Sequence, residues 1–166
     1  MKLRPDSHLF TGDEAPDFQV LDADEGSFSL SDELKSAPIV LVFYPTDFGI
    51  VCTIELREFK EIREEIESMG YRIVWINTDS TASHRSWRMK AKVPFQMLSD
   101  PGGEVSKMYG IFLEEDGLLK NFSNRSIFVI EQDSRLSYRW VGRKPATSPP
   151  LDELLESLRR RKVRAE

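Results

Sequence analysis

The sequence predicts an α/β fold, with helices layered on a sheet, from three observations. Ile39 to Tyr44 is an unbroken β-branched and aromatic run, the pattern of a strand covered on both faces. The next segment repeats apolar residues at three- and four-residue intervals, the period of an amphipathic helix. The elements run mainly β, α, β, α, β, β, α, so helices carry the strand crossovers.

Taken in order, apolar residues alternate on both sides of an acidic, glycine-containing turn at 22–26, which predicts two short strands. Ser31 to Leu34 predicts a helical turn, and Pro38 introduces the central strand. After Pro45 a loop over 46–51 leads to a helix starting near Cys52 or Thr53. Its core face is Leu56, Phe59, Ile62, Ile66 and Met69, and Gly70 closes it. Tyr71 to Ile76 predicts a strand, Ser83 to Lys90 a helix, Val93 to Pro101 a short strand ending in a turn and Glu104 to Tyr109 a brief helix. Ser126 to Glu131 and Leu136 to Val141 predict a hairpin. A last helix begins at Pro149 and Pro150, with Leu151, Leu154, Leu155 and Leu158 on one face.

The 166 residues are expected to form one domain, 1–166, around one hydrophobic core, with no linker or repeat. An apolar share of 40% beside 31% charged residues is that of a globular chain rather than a disordered one. The net charge of −5 disfavours nucleic acid and anionic membrane as partners. The basic run over 159–164 reads as solvated cations at a helix C-terminus. Met1 to His8 lacks the apolar core of a signal peptide and no segment is long enough to span a bilayer, so a cytoplasmic protein is expected.

With one cysteine, no internal disulfide and no multi-cysteine metal site can form. Cys52 falls where a strand, a tight loop and a helix meet, at a helix N-terminus whose free N–H groups favour an anion. A thiolate, the nucleophilic form, is therefore favoured there; the alternative is a buried, inert thiol. His8 and His84 lack metal-ligand spacing, and His84 reads as a packing or solvent residue. The three tryptophans read as core or interface residues. Gly102 and Gly103 form a turn without the rest of a phosphate loop, and no cofactor is expected.

The stretch Phe43-Tyr44-Pro45, Asp47-Phe48-Gly49, Val51-Cys52-Thr53 and Glu55 resembles the active-site segment of the peroxiredoxins of the alkyl hydroperoxide reductase and thiol-specific antioxidant type. Gly12 to Phe18, Ser83 to Trp87, Pro94 to Pro101, Tyr109 to Ile111 and Arg125 to Glu131 match further family blocks in the same order. The resemblance implies a thioredoxin-like fold with a central mixed β-sheet flanked by helices. It implies that Cys52 attacks the peroxide, that Pro45 shields the thiolate and that Arg125 polarises the peroxide and lowers the thiol pKa further. Glu55 matches a position that helps hold the arginine; otherwise it is an ordinary first-turn carboxylate.

Two departures qualify the implied chemistry. Gly49 replaces the family threonine whose hydroxyl bonds the thiolate and peroxide. Losing such a charge-assisted bond, about 1.5–3 kcal/mol, slows attack roughly ten- to a hundredfold unless Thr46, Thr53 or a water substitutes. Relatives resembling bacterioferritin comigratory protein often carry a resolving cysteine five positions on, where this chain has Arg57. The expectation is a one-cysteine peroxidase for hydrogen peroxide or organic hydroperoxides, recycled by an external thiol or redoxin and working as a homodimer in cell redox homeostasis. A weakly active redox sensor or binding module is the alternative. A disulfide reductase is set aside, because Glu55 stands where a second cysteine would be.

Overall fold

The computed structural model describes residues 6–114, 117–143 and 147–165, with side chains up to residue 162 in the last stretch. The reading of Met1 to Pro5 and the side chains of Val163 and Arg164 lie outside the described residues. The chain runs β1 (Gln19–Asp22), β2 (Ser27–Ser29), α1 (Leu30–Glu33), β3 (Ile39–Phe43), α2 (Ile50–Ser68), β4 (Arg72–Asn77), α3 (Thr81–Ala91) and β5 (Gln96–Ser99). It continues through α4 (Glu104–Met108), β6 (Ser126–Ile130), β7 (Leu136–Val141) and α5 (Leu151–Ala165). The strands form one mixed sheet in the order β2-β1-β5-β4-β3-β6-β7. β3, β4 and β5 are parallel, whereas β6 pairs antiparallel with β3 and β1 antiparallel with β5.

The run at 39–44 is apolar throughout because both faces of β3 are covered. Val40, Val42 and Tyr44 join one core with Phe59 of α2, Trp87 of α3 and Leu154 and Leu158 of α5. Ile39, Leu41 and Phe43 join the opposite core with Leu30 of α1, Val105 of α4, Phe28 and Tyr109. This two-residue alternation on a doubly covered sheet is the thioredoxin-like, three-layer arrangement expected from the sequence. Each fully buried side chain such as Phe59 contributes roughly 1.5–3 kcal/mol by leaving water.

Helix α2 departs from expectation at its start. It begins at Ile50, because Gly49 takes an extended N-cap conformation (φ −66°, ψ 144°) and its carbonyl accepts the Thr53 N–H at 2.8 Å. Cys52 thus lies inside the first turn. The helix ends as expected, with Met69 as C-cap and Gly70 at φ 91°, a conformation that suits glycine. The basic residues of α5 are partly paired: Arg159 bonds Glu65 of α2, and Arg161 lies 3.4 Å from Glu131. Among the described residues no helix is long and apolar enough to cross a membrane.

Candidate active site

Parallel β3 and β4 require a crossover, and α2 supplies it, so the α2 N-terminus stands at the C-terminal edge of the sheet. That brings Cys52 to the strand ends, the usual ligand edge of an α/β sheet. The register of β6 brings Arg125 to the same place. Phe43, the last residue of β3, pairs with Ser126, the first of β6, and Arg125 precedes it. The Arg125 carbonyl accepts the Gly142 N–H at 2.9 Å, which ties that end of β6 to the chain leaving β7.

The Arg125 guanidinium contacts both the thiol and a carboxylate. Nη2 donates to Cys52 Sγ at 3.1 Å and Nη1 to Glu55 Oε2 at 2.7 Å. Glu55, three residues after Cys52, shares its helix face, and all three side chains are buried. Pro45 is buried in the loop after β3. The Thr46 backbone N–H is a further group that favours the Cys52 thiolate. Cys52, Glu55 and Arg125 are thus brought together, in a first turn free of acidic residues.

Gly49 leaves a gap in this shell. A Cβ built there would lie 3.4 Å from Cys52 Sγ and 3.4 Å from Thr46 Cγ2, in ordinary contact with both. Neither nearby threonine hydroxyl donates to the sulfur. Thr53 Oγ1 donates to the Gly49 carbonyl at 2.7 Å, and Thr46 Oγ1 lies 3.1 Å from both Asp79 Oδ2 and the Asp47 carbonyl. Of the substitutes considered from sequence, Thr46 contributes through its main chain instead.

The electrostatic balance corrects one expectation. Burial pushes the Cys52 thiol above its ordinary range, and this outweighs the lowering by Arg125 and the Thr46 N–H. The sequence shows the charges near a helix start but not the water removed on folding. Burial also pushes the Glu55 carboxyl up to about 7, against the lowering effect of Arg125. The Cys52 oxidation rate should therefore keep rising with pH from 6 to 9, since only the thiolate attacks. The rise should be shallower than tenfold per unit near pH 7, where ionisation of Glu55 adds a negative charge beside the sulfur. Stopped-flow oxidation across this range checks it, and a plateau already reached at pH 6 would show that charge, not burial, governs the thiol.

Sequence reasoning missed the cluster behind the loop. Asp47 Oδ1 accepts the Tyr44 hydroxyl at 2.6 Å, and Oδ2 accepts Ser83 Oγ at 2.8 Å and meets His84 Nδ1 at 2.7 Å. His84 is fully buried on α3, so of the two readings offered by the sequence packing holds and solvent does not, and polar partners that the sequence did not reveal hold it there. The signal available was the coincidence of Asp47 and Ser83-His84 with family blocks, which carries no contact information by itself.

A thioredoxin-like sheet presenting a single thiol in the first turn of the helix after β3 places the chain among the peroxiredoxins. Comparison with known proteins makes the assignment specific. The chain belongs to the AhpC/TSA family, which it matches over residues 11–139. It is 31% identical over 131 residues to "Putative peroxiredoxin bcp" of Coxiella burnetii, covering 78% of this chain and 86% of that protein. It is 33% identical over 127 residues to the chloroplastic peroxiredoxin Q of Oryza sativa subsp. japonica, covering 76% of this chain and 57% of that one. The chain thus spans little more than half the length of that plant relative. A crystal structure of peroxidoxin BcpB from Mycobacterium tuberculosis superposes with a TM-score of 0.80 at 28% identity, covering 92% of this chain and 98% of that one. Family and fold together support peroxiredoxin-type thiol chemistry in general terms.

Proposed function

We propose that this chain, acting as one thioredoxin-like domain, is a one-cysteine, thiol-dependent peroxidase for hydrogen peroxide or organic hydroperoxides. The observation that carries the reading is the Arg125 guanidinium bridging Cys52 Sγ and Glu55. In the proposed reaction the Cys52 thiolate attacks one peroxide oxygen. A sulfur–oxygen bond forms, the oxygen–oxygen bond breaks, and the departing oxygen leaves as water or alcohol after taking up a proton. Sulfur is oxidised by two electrons to the sulfenic acid, and the peroxide is reduced by two. Arg125 hydrogen-bonds the peroxide and the leaving oxygen, Pro45 keeps water from the thiolate, and Glu55 holds the arginine in place.

No second cysteine exists to resolve the sulfenic acid, so an external thiol or redoxin displaces water to form a mixed disulfide, and a second thiol releases Cys52. Exposed Phe48, Ile50 and Ile54 surround the loop, and the proposal includes a homodimer through this face. A second reading, a slowly oxidised redox sensor, is favoured by the burial-raised thiol and by the gap at Gly49. Oxidation kinetics decide between them. The proposal expects one sulfenic acid per chain, formed at least a hundredfold faster than free cysteine reacts at pH 7, and turnover on adding a reducing thiol. A rate no greater than that of free cysteine overturns it, and Cys52→Ser should abolish the reaction.

A further inference from the structure

Both ring nitrogens of the fully buried His84 face acceptors: Nδ1 the Asp47 carboxylate at 2.7 Å and Nε2 the Leu98 carbonyl at 2.9 Å. A neutral imidazole has one N–H, so both contacts are satisfied only if both nitrogens carry hydrogen or Asp47 carries the proton. Asp47 already accepts from Tyr44 and Ser83, with Asn77 Nδ2 at 3.4 Å from Oδ1. Tyr44 keeps its proton, because burial and then Asp47 push its phenol well up. With these donors on the carboxylate, Asp47 is held from three sides, by Tyr44, Ser83 and His84.

What this pair holds is the loop that touches the thiol. Thr46 Oγ1 and the Asp47 N–H both reach Asp79 Oδ2, at 3.1 and 2.7 Å. Two carboxylates thus meet at one loop, and His84 from α3 binds one of them there. The next residue, Phe48, sits at φ 65°, a left-handed conformation costing a non-glycine residue roughly 1–2 kcal/mol. Half exposed, with a ring contact to Trp87 at 6.4 Å, Phe48 does little to hold that conformation itself. The clamp from α3 does so.

We propose that His84 and Asp47 form the positioning pair of the Cys52 site, clamping residues 46–48 so that the Thr46 backbone N–H meets the sulfur. This rests on the thiol-peroxidase reading for its functional meaning. Neither residue touches the reacting atoms. The charged and titratable groups around the thiol and the loop include Arg125, Glu55, Tyr44, Asp47, His84 and Asp79, and replacing His84 removes a bond to the loop without changing the direct neighbours Arg125 and Glu55.

The test is the pH titration of Cys52 thiolate absorbance in the full chain, beside its oxidation rate with hydrogen peroxide. His84→Gln should move the thiolate midpoint to higher pH and slow oxidation at pH 7 at least tenfold. Ile66→Val, a core change in α2 away from the cluster, should leave the midpoint in place. A folded His84→Gln protein with the wild-type titration overturns the proposal, as does an equal shift from Ile66→Val. If His84→Gln does not fold, Ser83→Ala removes one bond to Asp47 and should give a smaller upward shift; no shift overturns the proposal. The titration needs no peroxide, so an inert Cys52 would sink the peroxidase reading while leaving this measurement intact.

Discussion

Arg125→Met should lower the rate of Cys52 oxidation roughly 100- to 1,000-fold, the usual loss when one preorganised donor to a developing anion is removed. Arg125 lies on the sulfur and lowers the thiol, so its removal raises the thiol further and, in the proposed reaction, takes away the donor for the leaving oxygen. The same change strands Glu55, whose Oε1 has no hydrogen-bond partner and whose Oε2 would lose Arg125. Breaking a buried pair from one side costs about 3–5 kcal/mol when the remaining group is charged.

That cost depends on pH in a defined sense. Glu55 is raised to about 7 even with Arg125 present, so its ionisation lowers stability as pH rises from the unfolded carboxylate value through 7. Without Arg125 the penalty for charging it grows. Urea melts should show Arg125→Met losing more stability relative to wild type at pH 8 than at pH 6. The double variant Arg125→Met with Glu55→Gln should recover stability at pH 8 without recovering rate. Rate recovery in the double variant would mean that Arg125 acts only by neutralising Glu55.

Gly49→Thr should accelerate Cys52 oxidation roughly ten- to a hundredfold, by supplying a hydroxyl hydrogen bond to the thiolate worth about 1.5–3 kcal/mol. The backbone accepts the change, since φ −66° and ψ 144° is an extended conformation that a β-branched residue adopts readily. The new Cβ meets Cys52 Sγ at 3.4 Å without forcing a shift, so a hydroxyl one bond further reaches the sulfur. From the N-cap it accepts the Cys52 N–H at the third helical position while donating its own hydrogen to the thiolate. Loss of glycine's freedom in the unfolded chain adds about 0.4–1 kcal/mol of stability. Stopped-flow oxidation and thermal melts measure both effects. An unchanged rate would mean that the Thr46 N–H and Arg125 already satisfy the sulfur.

Most of the scaffold was legible in the chain. The doubly apolar β3 and the three- and four-residue spacing along α2 follow from local periodicity, and they place Cys52 at a helix start. Glu55 was legible as a helix-face neighbour three residues on, although the sequence did not decide whether it held the arginine or solvated the helix end. Arg125 came from its place in an ordered family pattern, because nothing local distinguishes an arginine before a strand.

Tertiary structure decided what lies between distant residues. Arg125 meets Cys52 across 73 positions because antiparallel pairing sets Ser126 against Phe43, and Asp47 meets His84 across 37 because α3 packs over the loop. The thiol's titration was beyond the sequence for the same reason. Charge is written in the residues, but burial, the larger effect at Cys52, exists only once strands and helices have closed around it. The sequence by itself determined the elements, the single thiol and the lack of a second cysteine among its 166 residues. Only the fold decided the guanidinium contact, the Asp47–His84 clamp and the raised thiol, because pairing register and desolvation belong to the packed chain rather than to any local segment.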